Sequence, residues 1–150
     1  MSTLTTTAAA PNNKANTVFI VHASVQILSI VLLCTGLYYA LARSNNWFKQ
    51  HRKFMSLFVV FVTIGTLLAL YSVEFVRKQK SSQLGMIHGI IGIVTLCLVF
   101  IQVMWAIVIR KHVSSETYLK VHRALAIAIV VLIIVVVVLG IINLFKLKSA

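Results

Sequence analysis

The chain has 150 residues, 60% of them hydrophobic and only 11% charged, with a formal net charge of +12. About a quarter of the residues of a soluble globule are charged, so the composition excludes a soluble domain and indicates a small polytopic membrane protein. The fourteen Lys and Arg lie in the tails, in the short connections or, as Lys120 and Arg123, in the first turns of a run, which points to lipid headgroups and away from nucleic acid.

The N-terminal segment MSTLTTTAAAPNNKANT has no apolar core and no Arg. It therefore reads neither as a cleavable secretory signal nor as a transit peptide, and residues 1–17 are expected to form a disordered tail. Four apolar runs follow, at about 18–41, 54–73, 84–109 and 119–145, each long enough to cross a hydrocarbon layer of about 30 Å. In lipid each segment must pair its own backbone groups, so all four are predicted helices. The connections, Arg43 to Lys53, Arg77 to Gln83 and Arg110 to Tyr118, are short, which makes sequential neighbours antiparallel. The predicted fold is an all-α membrane protein, an antiparallel four-helix transmembrane bundle over residues 18–150, and any chemistry must be carried inside it.

With the N-terminal side called A, spans 1 and 3 run from A to B and spans 2 and 4 return. Side B holds eight basic residues: Arg43, Lys49, Arg52, Lys53, Arg110, Lys111, Lys120 and Arg123. Side A holds six: Lys14, Arg77, Lys78, Lys80, Lys146 and Lys148. The bias makes side B cytoplasmic and both termini non-cytoplasmic.

Four of the five histidines fall one to a span, each near its start: His22, His51, His88 and His122. Because the spans alternate in direction, His22 and His88 are expected to meet near side A, and His51 and His122 near side B. Fourteen residues turn a helix by almost four turns and advance it by about 21 Å, so that step from each histidine keeps the same face at the other depth. It leads from His22 to Gly36, from His51 to Gly65 and from His88 to Gln102. Glycines there are expected to leave room for something flat and bulky.

Followed at helical steps, the stripe of span 1 is His22, Gln26, Ser29, Leu33, Gly36, and that of span 2 is His51, Met55, Phe58, Val62, Gly65, Ala69. Span 3 reads His88, Gly92, Thr95, Val99, Gln102, Ala106, and span 4 reads His122, Ala126, Ile129, Ile133, Val136, Gly140, Asn143. Small and polar residues concentrate on these faces in spans 1 and 3, so the histidine faces are expected to look inward. Span 4 is blander.

A haem matches such a slot, since its iron takes two axial imidazoles and its ring requires apolar walls close to the backbone. Gly85, Gly89 and Gly92 around His88 would let a helix approach the ring, and two imidazoles favour electron transfer over oxygen chemistry. Each ligand histidine should hand its second ring N–H to a carbonyl or hydroxyl. Lys49, Arg52, Lys53, Lys120 and Arg123 flank the side B pair and read either as partners of haem propionates or an anionic reductant, or as headgroup anchors. His112 lies beyond span 3 and is expected to be solvated. Met55 and Met104 read as flexible filler, Cys34 and Cys97 as packing residues, and Glu74 and Glu116, the two acids of the chain, form no paired carboxylate site. Two competing readings stand beside this one. One is a haem-free scaffold or oxidase-assembly protein whose histidines serve copper handling or helix packing, GxxxG at Gly85 and Gly89 included. The other is a one-haem anchor subunit of a larger redox complex that uses His22 and His88 alone.

The stretches VHASVQILSIVLLCTGLYY, QHRKFMSLFVVFVTIG, MIHGIIGIVTLCLVFIQVMW and VHRALAIAIVVLIIVVVVLG resemble the four-helix di-haem core of the cytochrome b561 family, over residues 18 to 145. That resemblance implies two b haems, held by His22 with His88 on the non-cytoplasmic side and by His51 with His122 on the cytoplasmic side. It implies transmembrane electron transfer, with ascorbate as a frequent donor and monodehydroascorbate or ferric iron as acceptor. Lys49, two residues before His51, resembles a family lysine at the donor site. The chain departs from the family in having no flanking helices and in carrying Glu116 where the family has an arginine six residues before the fourth histidine. The partners implied are the bilayer, a small-molecule donor and acceptor or a redox protein, and a homodimer is compatible with them.

Overall fold

The four apolar runs close their backbone hydrogen bonds as four helices in the computed structural model, which describes residues 13–43, 45–76, 83–109 and 112–148. They are α1 (Asn13–Ala42), α2 (Trp47–Val76), α3 (Gln83–Ile107) and α4 (Ser115–Lys148). Each contains a stretch long and apolar enough to span a membrane, of 25 residues in the shortest and 31 in the longest. At 1.5 Å per residue even 25 residues reach about 37 Å, more than the hydrocarbon layer requires. The protein is an all-α four-helix membrane bundle.

The helix starts depart from the hydropathy pattern, most of all in α1 and α2. α1 begins at Asn13, so residues 13–17, expected in the tail, are helical, and residues 1–12 of that tail lie outside the described residues. α2 begins at Trp47, seven residues before the apolar run. Lys, Gln and Arg are good helix formers, so the segment from Trp47 to Lys53 coils although it is too polar to register as a span. The turn before it needs few residues because Arg43 (φ 46°) and Asn46 (φ 64°) both take the left-handed conformation, which reverses the chain abruptly and which Asn tolerates better than most residues. Lys49, His51, Arg52 and Lys53 therefore stand on the first two turns of α2. Of the other connections, residues 77–82 and 110–111 lie outside the described residues.

α1 packs along α2, α3 packs along α4, and α2 touches α3. No Cα of α1 comes within 8 Å of α3 or α4 among the described residues. The bundle is thus two antiparallel hairpins leaning together through α2 and α3, and open along the α1–α4 side. Every buried residue among those described lies on one of the four histidine stripes: Ser29, Leu33 and Gly36 on α1; Phe58, Val62 and Gly65 on α2; Thr95 and Val99 on α3; and Ile129 on α4. The histidine faces do look inward. Leu33, Phe58, Val62, Val99 and Ile129 form one apolar cluster drawn from all four helices, and it separates the two histidine levels. The hydroxyls of Ser29 and Thr95 beside it donate to carbonyls of their own helices, Gln26 at 2.8 Å and Ile91 at 2.7 Å, so they enter the interior without an unpaired donor. Ile, Val and Leu on the outer faces are widely exposed, as a lipid-facing surface requires.

Candidate functional site: four histidines on two levels

On α1 and α2 the histidines anchor each other's helices. His22 Nδ1 donates to the Gly65 carbonyl at 2.7 Å, and His51 Nδ1 donates to the Gly36 carbonyl at 2.9 Å. A carbonyl oxygen only accepts, so both rings carry their proton on Nδ1 and present a bare Nε2 when neutral. The room expected beside these glycines is filled. A Cβ on Gly36 would stand 2.8 Å from Met55 Sδ, and one on Gly65 would stand 2.8 Å from Gln26 Nε2. The glycines bring two backbones close enough for an imidazole to span them, which is a different use of the missing side chain from the one expected. Open space lies instead at Gly89 and Gly92, where an added Cβ meets nothing within 4 Å.

The second hairpin repeats the scheme. His88 Nδ1 donates to the Val136 carbonyl at 2.9 Å, and the ring rests against Gly140, where a Cβ would lie 3.0 Å from His88 Cε1. Val136 lies fourteen residues after His122, the step that also separates Gly65 from His51. Gln102, fourteen after His88, reaches His122: its Nε2 is 2.9 Å from His122 Nδ1 and 2.9 Å from the His122 carbonyl oxygen. Tyr118 stacks on the His122 ring, with centroids 5.6 Å apart, and its carbonyl accepts from Trp105 Nε1 at 3.3 Å.

Because the helices alternate in direction, His22 and His88 stand towards one end of the bundle and His51 and His122 towards the other. Among the described residues none of the four Nε2 atoms makes a hydrogen bond, and a neutral imidazole with Nδ1–H engaged and Nε2 bare is the form that binds a metal. His22, His51 and His88 are in that form, whereas His122, whose Nδ1 faces the Gln102 amide N–H, is not. The chain matches no protein-family model, no curated protein and no solved structure.

The basic residues of side B divide. Lys49, Arg52 and Lys53 line, with Gln50 and Ser56, an open recess of about 440 Å³. At 100° per residue, Lys49, Lys53 and Ser56 stand about 140–200° round α2 from His51, so this recess faces away from the bundle interior. The helical phase of α2 places Lys49 and Lys53 on the side away from His51, and Arg52 nearer to the histidine face. Lys120 pairs with Glu116 at 2.7 Å, both side chains exposed, and Arg123 and His112 are exposed. Sequence reasoning placed Val136 on the histidine stripe but gave it no role, because its contribution is a backbone oxygen that no residue type announces, and it gave no role to the stacked Tyr118.

Proposed function

We propose that this protein is a two-haem membrane cytochrome that carries single electrons from side B, the more basic and hence cytoplasmic side, to side A, as its resemblance to the cytochrome b561 family implies. His22 with His88 would hold one haem b, and His51 with His122 the other. Bound there, the haems supply a one-electron redox couple at each level. The rest falls to the chain: the Gly65, Gly36 and Val136 carbonyls orient three imidazoles and fix their tautomer, and the Leu33, Phe58, Val62, Val99 and Ile129 cluster excludes water between the levels.

The single observation that carries the reading is that His22, His51 and His88 each give Nδ1–H to a main-chain carbonyl and keep Nε2 free of hydrogen bonds among the described residues. The donor set supports haem over a bare ion. Among the described residues no three His, Cys, Asp or Glu side chains converge, so a copper or zinc ion would lack ligands, whereas haem iron needs only two from the protein. The open space at Gly89 and Gly92 beside His88 supports it further. Ascorbate or another small anion is the proposed donor, and monodehydroascorbate or ferric iron the acceptor. A reduced-minus-oxidised difference spectrum of the purified chain should show a b-type signature and haem analysis should give two haems per chain. A preparation without a Soret band would refute the proposal and favour the haem-free scaffold. One observation favours the one-haem alternative: His122 Nδ1 faces an amide N–H, not a carbonyl. One haem per chain, lost on changing His22 or His88 and kept on changing His51 or His122, would establish that reading instead.

A further inference from the structure

Three of the four histidines hand their ring N–H to a main-chain carbonyl, but His122 meets a side chain. Gln102 Nε2 serves both His122 Nδ1 and the His122 carbonyl, while Gln102 Oε1 is buried without a hydrogen-bond partner among the described residues. The two ends of an amide are nearly equal in size, one a donor and the other an acceptor, and half a turn exchanges them. In the orientation seen, Nδ1 accepts, so the single proton of the neutral ring is on Nε2. That orientation leaves an acceptor stranded, which is unfavourable in a buried site. In the other, Oε1 accepts Nδ1–H, the ring proton has moved from Nε2 to Nδ1, and Nε2 is bare; the bond lost is the one from the amide to the His122 carbonyl. Neither state is fully satisfied. A backbone carbonyl offers no such choice, so His22, His51 and His88 each have one tautomer and His122 has two.

Resting on the two-haem reading, we propose that Gln102 is the positioning residue of the side B centre. Its amide turns to present Oε1 when His122 takes iron, and its acceptor strength sets how strongly that imidazole donates to the metal. An acceptor on the distal ring N–H raises ligand basicity, and a more basic ligand stabilises ferric iron and lowers the potential of its centre. Side B is then the centre whose potential a side chain controls, while the side A centre is fixed by main chain on both ligands.

The test uses the full chain with its haems, followed by redox titration monitored optically and by EPR of the ferric low-spin centres. Gln102→Glu supplies an acceptor only, and Gln102→Leu supplies neither end. Gln102→Glu should lower the midpoint of one centre and Gln102→Leu should raise the midpoint of the same centre, each by about tenfold in its oxidised-to-reduced ratio, or 59 mV for one electron. The second centre should not move. If Gln102→Leu loses one haem, retention of that haem in Gln102→Glu with a lowered midpoint supports the assignment, and its loss in both overturns it. Unchanged midpoints, equal shifts of both centres, or shifts of one sign in the two variants also overturn it. Two haems absent from the unaltered protein would defeat the two-haem reading itself, a result seen before any variant is made.

Discussion

His22 on α1 is bonded to Gly65 on α2, 2.7 Å from Nδ1 to carbonyl oxygen, and Gly65 lies fourteen residues after the histidine of its own helix. His51 returns the same bond to Gly36, fourteen residues after His22. Two antiparallel helices can do this only when the distance from histidine to acceptor along each axis equals the offset between the two histidines, about 21 Å at 1.5 Å per residue. α3 and α4 obey the same rule through Val136 and Gln102. The protein is therefore two hairpins built to one plan, each fastened at both ends by bonds to its histidines, with no hydrogen bond at the ring Nε2 atoms among the described residues.

Under the proposed pairing, replacing His88 with Leu removes one nitrogen from the side A pair and leaves the side B pair intact. Haem content should fall from two per chain to one, with the remaining spectrum retained. A variant that keeps both haems would show that His88 and His22 do not share an iron.

Gly140 and Gly89 both lie in helices near His88, yet they should respond oppositely to alanine. A methyl at Gly140 stands 3.0 Å from His88 Cε1, and the ring cannot retreat without giving up Val136, so Gly140→Ala should destabilise by about 1 kcal/mol or more and perturb the side A spectrum. In the haem-free chain Gly89→Ala meets nothing within 4 Å and should gain about 0.5–1 kcal/mol from helix propensity. Thermal unfolding in detergent measures both, and equal effects would contradict the asymmetry.

Phe58 is 2% exposed and sits in the cluster between the two levels. In lipid there is little water-to-core transfer to lose, so Phe58→Ala costs chiefly the void it leaves, on the order of 2 kcal/mol. The unfolding midpoint should drop and, under the two-haem proposal, haem content should not. No change in stability would place Phe58 outside the packed interior.

Glu116 and Lys120 form an ion pair 2.7 Å long with side chains 77% and 73% exposed. Exposed pairs one helical turn apart contribute little, so Glu116→Gln should change stability by less than about 0.5 kcal/mol. A larger loss measured at low ionic strength would mean that Glu116 has a further partner.

Much of the fold was legible in the chain itself. The number of spans and their alternating direction follow from apolar length and short connections, since lipid forces each segment to satisfy its own backbone. The inward face of each helix was legible too, because Ser29, Gly36, Thr95 and Gln102 are poor lipid-facing residues and share phase with a histidine. The start of α2 was not. Hydropathy records where a helix is apolar, whereas Trp47 to Lys53 coil through propensity in a polar stretch, and their phase then carries Lys49 and Lys53 away from His51.

The fourteen-residue spacing was visible in the sequence, but its meaning was not. Gly36 and Gly65 read as vacated space, and the fold uses them as acceptors with Met55 and Gln26 packed into the gap. The blandness of span 4 has the same origin: Val136 acts through its carbonyl, a group that every residue carries.

The sequence alone determined four spans, the face each turns inward and the one histidine each brings, because burial and polarity in a bilayer are properties of residue type. Only the tertiary structure decided what each histidine holds on to. Hydrogen bonds between helices depend on how closely two backbones approach and at which register, and that is a property of pairs of segments, which no single segment encodes.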